Sequence, residues 1–215
     1  MVDVEKIEKR TVQSFYEDGL SEIAMGLLLV LLGGYFFAQA IVPKDSALGS
    51  ELNMLFVLVI VSAGFLGNRI LRFLKRRITY PRTGYVTFHK KERSPKRRAA
   101  TAVVAMIISA SLAALYGLSP SVRTLFPALN GLLFAVAVLL FANKVGLLRF
   151  YVLAAASAVI GVAVTAAGIG EVKGLSLYYA LFGAAMLISG LAALVVYLRR
   201  SPRPAADASE GPDAR

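Results

Sequence analysis

The sequence predicts an all-α protein: a polytopic membrane helical bundle of six transmembrane helices, with both termini on the cytoplasmic side. Three observations lead there. Of 215 residues, 57% are hydrophobic and only 17% are charged, a composition of the membrane class rather than of a soluble domain. The apolar residues fall in runs near the ~20 residues that a helix rising ~1.5 Å per residue needs to cross a ~30 Å hydrocarbon core. The positive charge is crowded into one stretch, residues 68–98 (NRILRFLKRRITYPRTGYVTFHKKERSPKRR). It holds 12 of the 24 Lys and Arg residues against a single acid, Glu92. Each Lys or Arg at the centre of a spanning helix costs about 2.5–3.5 kcal/mol on insertion scales. This stretch therefore sits in water or among headgroups, and the positive-inside rule assigns that side to the cytoplasm.

Each element then follows in order. Residues 1–19 read as a cytoplasmic or interfacial amphipathic segment, with Val4, Ile7, Val12, Phe15 and Tyr16 near helical spacing among charges. The first span covers residues 20–42, with Asp18 able to cap it and Glu22 in its first turn. The second covers 52–70. Residues 71–98 form the basic cytoplasmic loop, broken by Pro81 and Gly84. The remaining spans are placed at 99–118, 125–143, 148–169 and 175–198. Short turns are expected at Lys144 to Arg149 and at Gly170 to Gly174. Residues 199–215, rich in Pro and Ala, are expected to form a disordered cytoplasmic tail. On this map 21 Lys and Arg residues face the cytoplasm, and only Lys44, Arg123 and Lys173 face away. Five or seven spans would put a basic flank on the wrong side. Tyr35, Phe36, Phe37, Tyr116, Tyr178 and Tyr179 are expected at the outer boundary as interfacial anchors.

Small residues at spacing four mark where the helices meet. They are Thr101 to Gly117 in the third span, Ser157, Gly161 and Thr165 in the fifth, and Ala185, Ser189 and Ala193 in the sixth. The first two spans carry more Leu, Val and Phe and are expected to face more lipid. Gly26 and Gly33 share a spacing of seven with Gly183 and Gly190. The residues around them do not align, so no inverted repeat is inferred.

The chain is poor in catalytic chemistry. It has no cysteine and one histidine, His89. Thiolate sites and disulfides are thus excluded, and a zinc or haem site would lack ligands. No cofactor, metal site or catalytic residue is expected. The charge of +11 lies at the ends of apolar runs, as topology requires, which argues against nucleic acid as a partner. No ionisable residue falls near the centre of a span. Asn130, followed by Gly131, is the polar residue best placed to bond another helix. Glu17, Asp18 and Glu22 make an acidic cluster at the inner face. Asp18 and Glu22 share a helical face, suited either to capping and salt bridges with the basic loop or to acid–base work. In the loop, Arg76, Arg77, Tyr80, Arg82, Tyr85, Lys90, Lys91, Arg97 and Arg98 are the candidate contacts to headgroups or a partner. The cations among them attract anionic lipid at about 1 kcal/mol each, and the rings suit headgroup depth.

Two stretches, Phe15-Tyr16-Glu17-Asp18-Gly19-Leu20-Ser21-Glu22-Ile23 with Gly26, and Tyr80-Pro81-Arg82-Thr83-Gly84-Tyr85-Val86, lie within the first 90 residues. Here the chain resembles a family of uncharacterised bacterial multi-pass membrane proteins. The resemblance implies an integral protein of a bacterial inner membrane and supplies no activity. It also implies that the two stretches meet at the inner face, with Asp18 or Glu22 paired to Arg82. The leading functional reading is a non-enzymatic scaffold, binding anionic lipid at the cytoplasmic leaflet and open to self-association or a membrane protein partner. The alternatives are a small transporter or channel for a neutral or apolar solute, and an inner-face enzyme using Asp18 and Glu22.

Overall fold

The computed structural model describes residues 16–43 and 123–200 throughout, residue 13, and scattered positions between 46 and 77 that include Arg69, Lys75 and Arg77. The expected spans at 52–70 and 99–118 lie largely or wholly outside the described residues. Four helices are described: α1 (Leu20–Ile41), α2 (Phe126–Val145), α3 (Leu148–Ala166) and α4 (Glu171–Arg200). Each is long and apolar enough to cross a membrane. Their outward faces carry what a water-soluble fold would hide. On α2 alone, Leu132, Leu133, Val136, Leu139 and Leu140 are all exposed, whereas buried positions elsewhere include Asp18, Glu22, Lys75 and Ser157. A stripe of this kind is tolerable against lipid and would drive aggregation in water.

The helices form two antiparallel pairs, α1 with α4 and α2 with α3. Lipid supplies no hydrophobic drive for helices to associate, so the pairs depend on close backbone approach and interhelical hydrogen bonds. Along the first pair, a Cβ on Gly26 would lie 2.8 Å from the Gly183 carbonyl oxygen, and one on Gly33 2.8 Å from the Ala180 nitrogen. Gly19 meets Gly190 at the end of the same seam. The two seven-residue glycine spacings are therefore the facing halves of one interface, and two turns of helix bring each glycine back to it. In the second pair, a Cβ on Gly131 would lie 2.8 Å from the Gly161 Cα. Ser157 Oγ donates to the Gly131 carbonyl at 2.9 Å, and Thr165 Oγ1 accepts the Ala128 N–H at 2.9 Å. Ala128 is in the first turn of α2, where backbone donors lack intrahelical acceptors, so α3 satisfies one of them. In the first pair Ser176 Oγ likewise donates to the Gly33 carbonyl at 2.9 Å.

The first span turns Met25, Leu27, Leu31, Phe37 and Ile41 outward, as expected of a span that faces more lipid, while its glycine face packs on α4. Other expectations are corrected. The last helix begins at Glu171, inside the expected turn, and runs through Arg200 into the segment assigned to the tail. At its start Gly174 is buried, its Cα side facing the Pro127 ring. At its end, Arg199 and Arg200 in the last turn complement the helix dipole. The turn before it is held by Gly168 and Gly170, both at positive φ. The connection between α2 and α3 turns on Gly146, whose φ of 75° is the left-handed cap that suits glycine.

Tyr178 and Tyr179 are not interfacial anchors, since both are buried in the core. Tyr178 stacks on Phe182, with ring centroids 5.9 Å apart, and Phe36 of α1 stacks on Tyr179 at 5.6 Å. Phe134 meets Phe182 edge to face at 5.9 Å. Their hydroxyls can be buried because acceptors lie in reach: Tyr179 donates to Asn130 Oδ1 at 2.9 Å, and Tyr178 shares a hydrogen bond with Ser157 at 2.8 Å. Asn130 thus reaches a neighbouring helix as its position on α2 predicts, and its own amide donates to the Phe126 carbonyl at 3.0 Å.

Adding one methyl at the glycine seam therefore carries a penalty. Gly26→Ala and Gly183→Ala should each destabilise the purified protein by about 1–3 kcal/mol, the cost of overpacking. Gly34→Ala, whose Cβ would meet nothing within 4 Å, should leave stability unchanged. Heating in detergent followed by size-exclusion recovery checks the series.

Candidate functional site

At the end of the bundle where α1 starts and α4 finishes, four segments converge on Asp18 and Glu22. Gly19, between Asp18 and the helix α1 that carries Glu22, has φ 69° and lies against Gly190. A side chain there would be strained and would also push α4 away. This bend turns both carboxylates into the protein. Asp18 Oδ1 accepts the Leu20 N–H at 3.2 Å, serving one of the orphan donors of α1. Asp18 Oδ2 lies 3.1 Å from Lys75 Nζ, and both side chains are almost fully buried. The ammonium also lies over the Tyr16 ring, 5.7 Å from its centroid. Burial pulls the Lys75 ammonium below the ordinary lysine range, and Asp18 acts in the opposite sense. Burial pushes the Tyr16 phenol up, and the Asp18 charge adds to the effect.

Glu22 makes the second cluster. Its Oε1 lies 2.8 Å from Arg149 Nε, an ion pair whose angles fall short of a hydrogen bond. Ser189 Oγ of α4 donates to Oε2 at 2.7 Å. The guanidinium also donates to the carbonyls of Tyr16 and, at 3.5 Å, Glu17, and it lies over the Phe150 ring at 5.4 Å. Tyr16 meets Phe141 edge to face at 5.0 Å, closing the apolar side of the cluster. Arg149 stands in the first turn of α3, the wrong end of a helix for a cation. Glu22 and the two carbonyls offset that placement.

Of the three acids in the sequence-derived cluster, the structure brings Asp18 and Glu22 to cations and leaves Glu17 exposed, its carbonyl accepting from Arg149. The expected partner Arg82 lies outside the described residues, as do Arg76, Tyr80, Tyr85, Lys90, Lys91, Arg97 and Arg98. Arg77 is described: it is exposed, with its guanidinium 5.9 Å from the Phe73 ring centroid. Lys75 and Arg149 are the residues that sequence reasoning did not single out. Arg149 had one legible signal, a cation at the start of an apolar helix. Lys75 had none, being one of 12 cations in residues 68–98.

Chemically the arrangement is two carboxylates against two cations. Glu22 is engaged on both oxygens, and Asp18 is committed to a backbone donor and an ammonium. Such groups are poor general bases, because a proton abstracted from substrate would have to displace an ion pair. Among the described residues no three His, Cys, Asp or Glu side chains converge as a metal site would require. Comparison with family models, with curated proteins and with solved structures found no match to this chain.

Removing one partner of the buried pair leaves the other uncompensated. Asp18→Asn, which keeps an acceptor for the Leu20 N–H, should destabilise the protein by about 3–5 kcal/mol. Combining it with Lys75→Met should recover most of that loss. Unfolding midpoints of the single and double variants in detergent check this; equal midpoints for both would remove the pair as a structural bond.

Proposed function

We propose that this is a six-span integral protein of a bacterial inner membrane, with both termini cytoplasmic. In this reading it is a non-enzymatic scaffold whose basic stretch at residues 68–98 engages anionic headgroups. One observation carries the reading: the pair between Lys75 and Asp18 at 3.1 Å. It ties the basic stretch to the end of the bundle where α1 begins, beside Arg149 and the last turns of α4. The far end of α1 lies with the start of α4, since Gly33 meets Ala180. The start of α2 lies there too, since Pro127 meets Gly174. A chain that leaves α1 at one end, returns to the other at Lys75, and enters α2 where it left has crossed twice more. That supports six crossings. The charge distribution supports the cytoplasm as the side that holds the basic end.

The scaffold reading is favoured by what the acids already do. Asp18 and Glu22 are engaged by Lys75, Arg149 and Ser189, which leaves the enzyme reading with the least support. The interior is filled by Phe134, Tyr178, Phe182 and their neighbours. The runner-up, a small transporter or channel for a neutral or apolar solute, draws on the cluster of Asn130, Ser157, Tyr178 and Tyr179. These are neutral hydrogen-bonding groups on three helices. The family resemblance is part of the same proposal and adds the bacterial membrane but no activity.

Two measurements check it. Single cysteines replacing Lys44 or Lys173 should react with an impermeant maleimide in intact cells, while those replacing Lys90 or Arg200 should react only after permeabilisation. Labelling at Lys90 from outside would overturn the topology. Full-length protein purified in mild detergent should retain anionic over zwitterionic lipid by mass spectrometry. Replacing Lys90, Lys91, Arg97 and Arg98 with Gln should reduce that enrichment at least about tenfold, given about 1 kcal/mol per cation. Unchanged lipid together with a co-purified neutral solute would favour transport instead.

A further inference from the structure

The described helices are held together in two physically different ways. Within each pair, backbone meets backbone: Gly26 against Gly183, and Gly131 against Gly161, leave no room for a methyl group. Between the pairs, the polar contacts are made by side chains. Glu22 and Arg149 meet at 2.8 Å at the basic end, Ser157 and Tyr178 at 2.8 Å further in, and Asn130 and Tyr179 at 2.9 Å towards the far end. Side-chain contacts can be exchanged one at a time by rotamer changes, whereas backbone contacts move only with the whole helix.

We propose that the two helix pairs are rigid bodies able to rock against each other, and that the Glu22–Arg149 ion pair is the latch that holds their basic end shut. The latch is asymmetric. The Glu22 side chain is 2% exposed and stays bonded to Ser189 of α4, while that of Arg149 is 22% exposed. The guanidinium can therefore swing to water or to a lipid phosphate; Glu22 then loses its counter-charge and keeps one hydrogen bond, from the Ser189 hydroxyl. Arg149 sits just past the tight turn at Gly146, so losing Glu22 removes the ion pair at the tip of the α2–α3 hairpin and leaves that tip on weaker ties, the guanidinium's bonds to the Tyr16 and Glu17 carbonyls and the Tyr16–Phe141 ring contact. The far end stays closed by the Asn130–Tyr179 hydrogen bond and by the Pro127 ring of α2 against Gly174 of α4. Opening at the latch would lead inward to the Ser157 and Tyr178 hydroxyls. The scaffold reading requires no such motion, and the latch does not depend on it.

The chain contains no cysteine, so paired spin labels report only where they are introduced. Three pairs at exposed positions suffice: Val152 with Leu191 across the seam, Leu140 with Val152 within one helix pair, and Met25 with Leu191 within the other. Distances are measured by pulsed electron resonance on the full chain in lipid nanodiscs. Glu22→Gln should lengthen the Val152–Leu191 distance by more than the ~1–2 Å of an ordinary helix shift, with both within-pair distances unchanged. Arg149→Gln, made from the other side of the contact, should do the same, and either variant suffices if the other fails to assemble. An unchanged Val152–Leu191 distance, with the other two intact, would overturn the latch. Equal broadening of all three would overturn the division into two bodies.

Discussion

Charge cannot be left alone at the edge of a membrane protein, and the basic end of this bundle is built around that constraint. Asp18 and Glu22 are both buried, and a bare carboxylate in that setting would cost several kcal/mol. Each is matched by a cation from a distant part of the chain: Lys75 from the basic stretch and Arg149 from the α2–α3 hairpin. These pairs do more than neutralise charge. They tie the start of α1 to the basic stretch, to the hairpin and, through Ser189, to α4. An ion pair is weak as a source of net stability but strong as a specification, because a mispaired arrangement strands a charge.

Away from that end the bundle obeys a different rule. Lipid competes for apolar surface as well as any leucine does, so the helices associate where glycine lets backbones touch and hydroxyls bond across the gap. The glycines of α1 and α4 make one such seam, and Gly131 with Gly161 makes the other. The bulky rings of Phe134, Tyr178, Tyr179 and Phe182 fill the space between the seams. This division of labour separates a paired, rigid architecture from a side-chain interface that could rearrange. It also places a group of interior hydroxyls and an amide where that interface runs.

The functional proposal draws on both rules. The acids that might have supplied catalysis are engaged by Lys75, Arg149 and Ser189, and the cations that flank Lys75 in sequence, such as Arg69 and Arg77, are exposed. A bundle whose buried acids are paired, and which carries exposed cations such as Arg77 beside Lys75, is suited to meeting an anionic surface there.

The four described helices were legible because solvation in lipid acts residue by residue. A run of apolar side chains near 20 residues identifies a membrane helix whatever packs beside it, and α1, α2 and α3 begin and end within a few residues of where hydropathy puts them. That Asp18 and Glu22 serve ion pairs was also readable, from an acid pair at helical spacing before an apolar run. Partnership was not. Nothing local distinguishes Lys75 from its basic neighbours, or shows that Tyr178 and Tyr179 turn inward rather than to the interface. A glycine spacing of seven likewise does not disclose which helix it faces. Composition and charge order determined that this chain crosses a membrane and which end is basic, because those free energies are sums over single residues. Which cation meets which acid, and which glycine meets which, was decided only by the tertiary structure, since a contact is a property of two positions brought together in space.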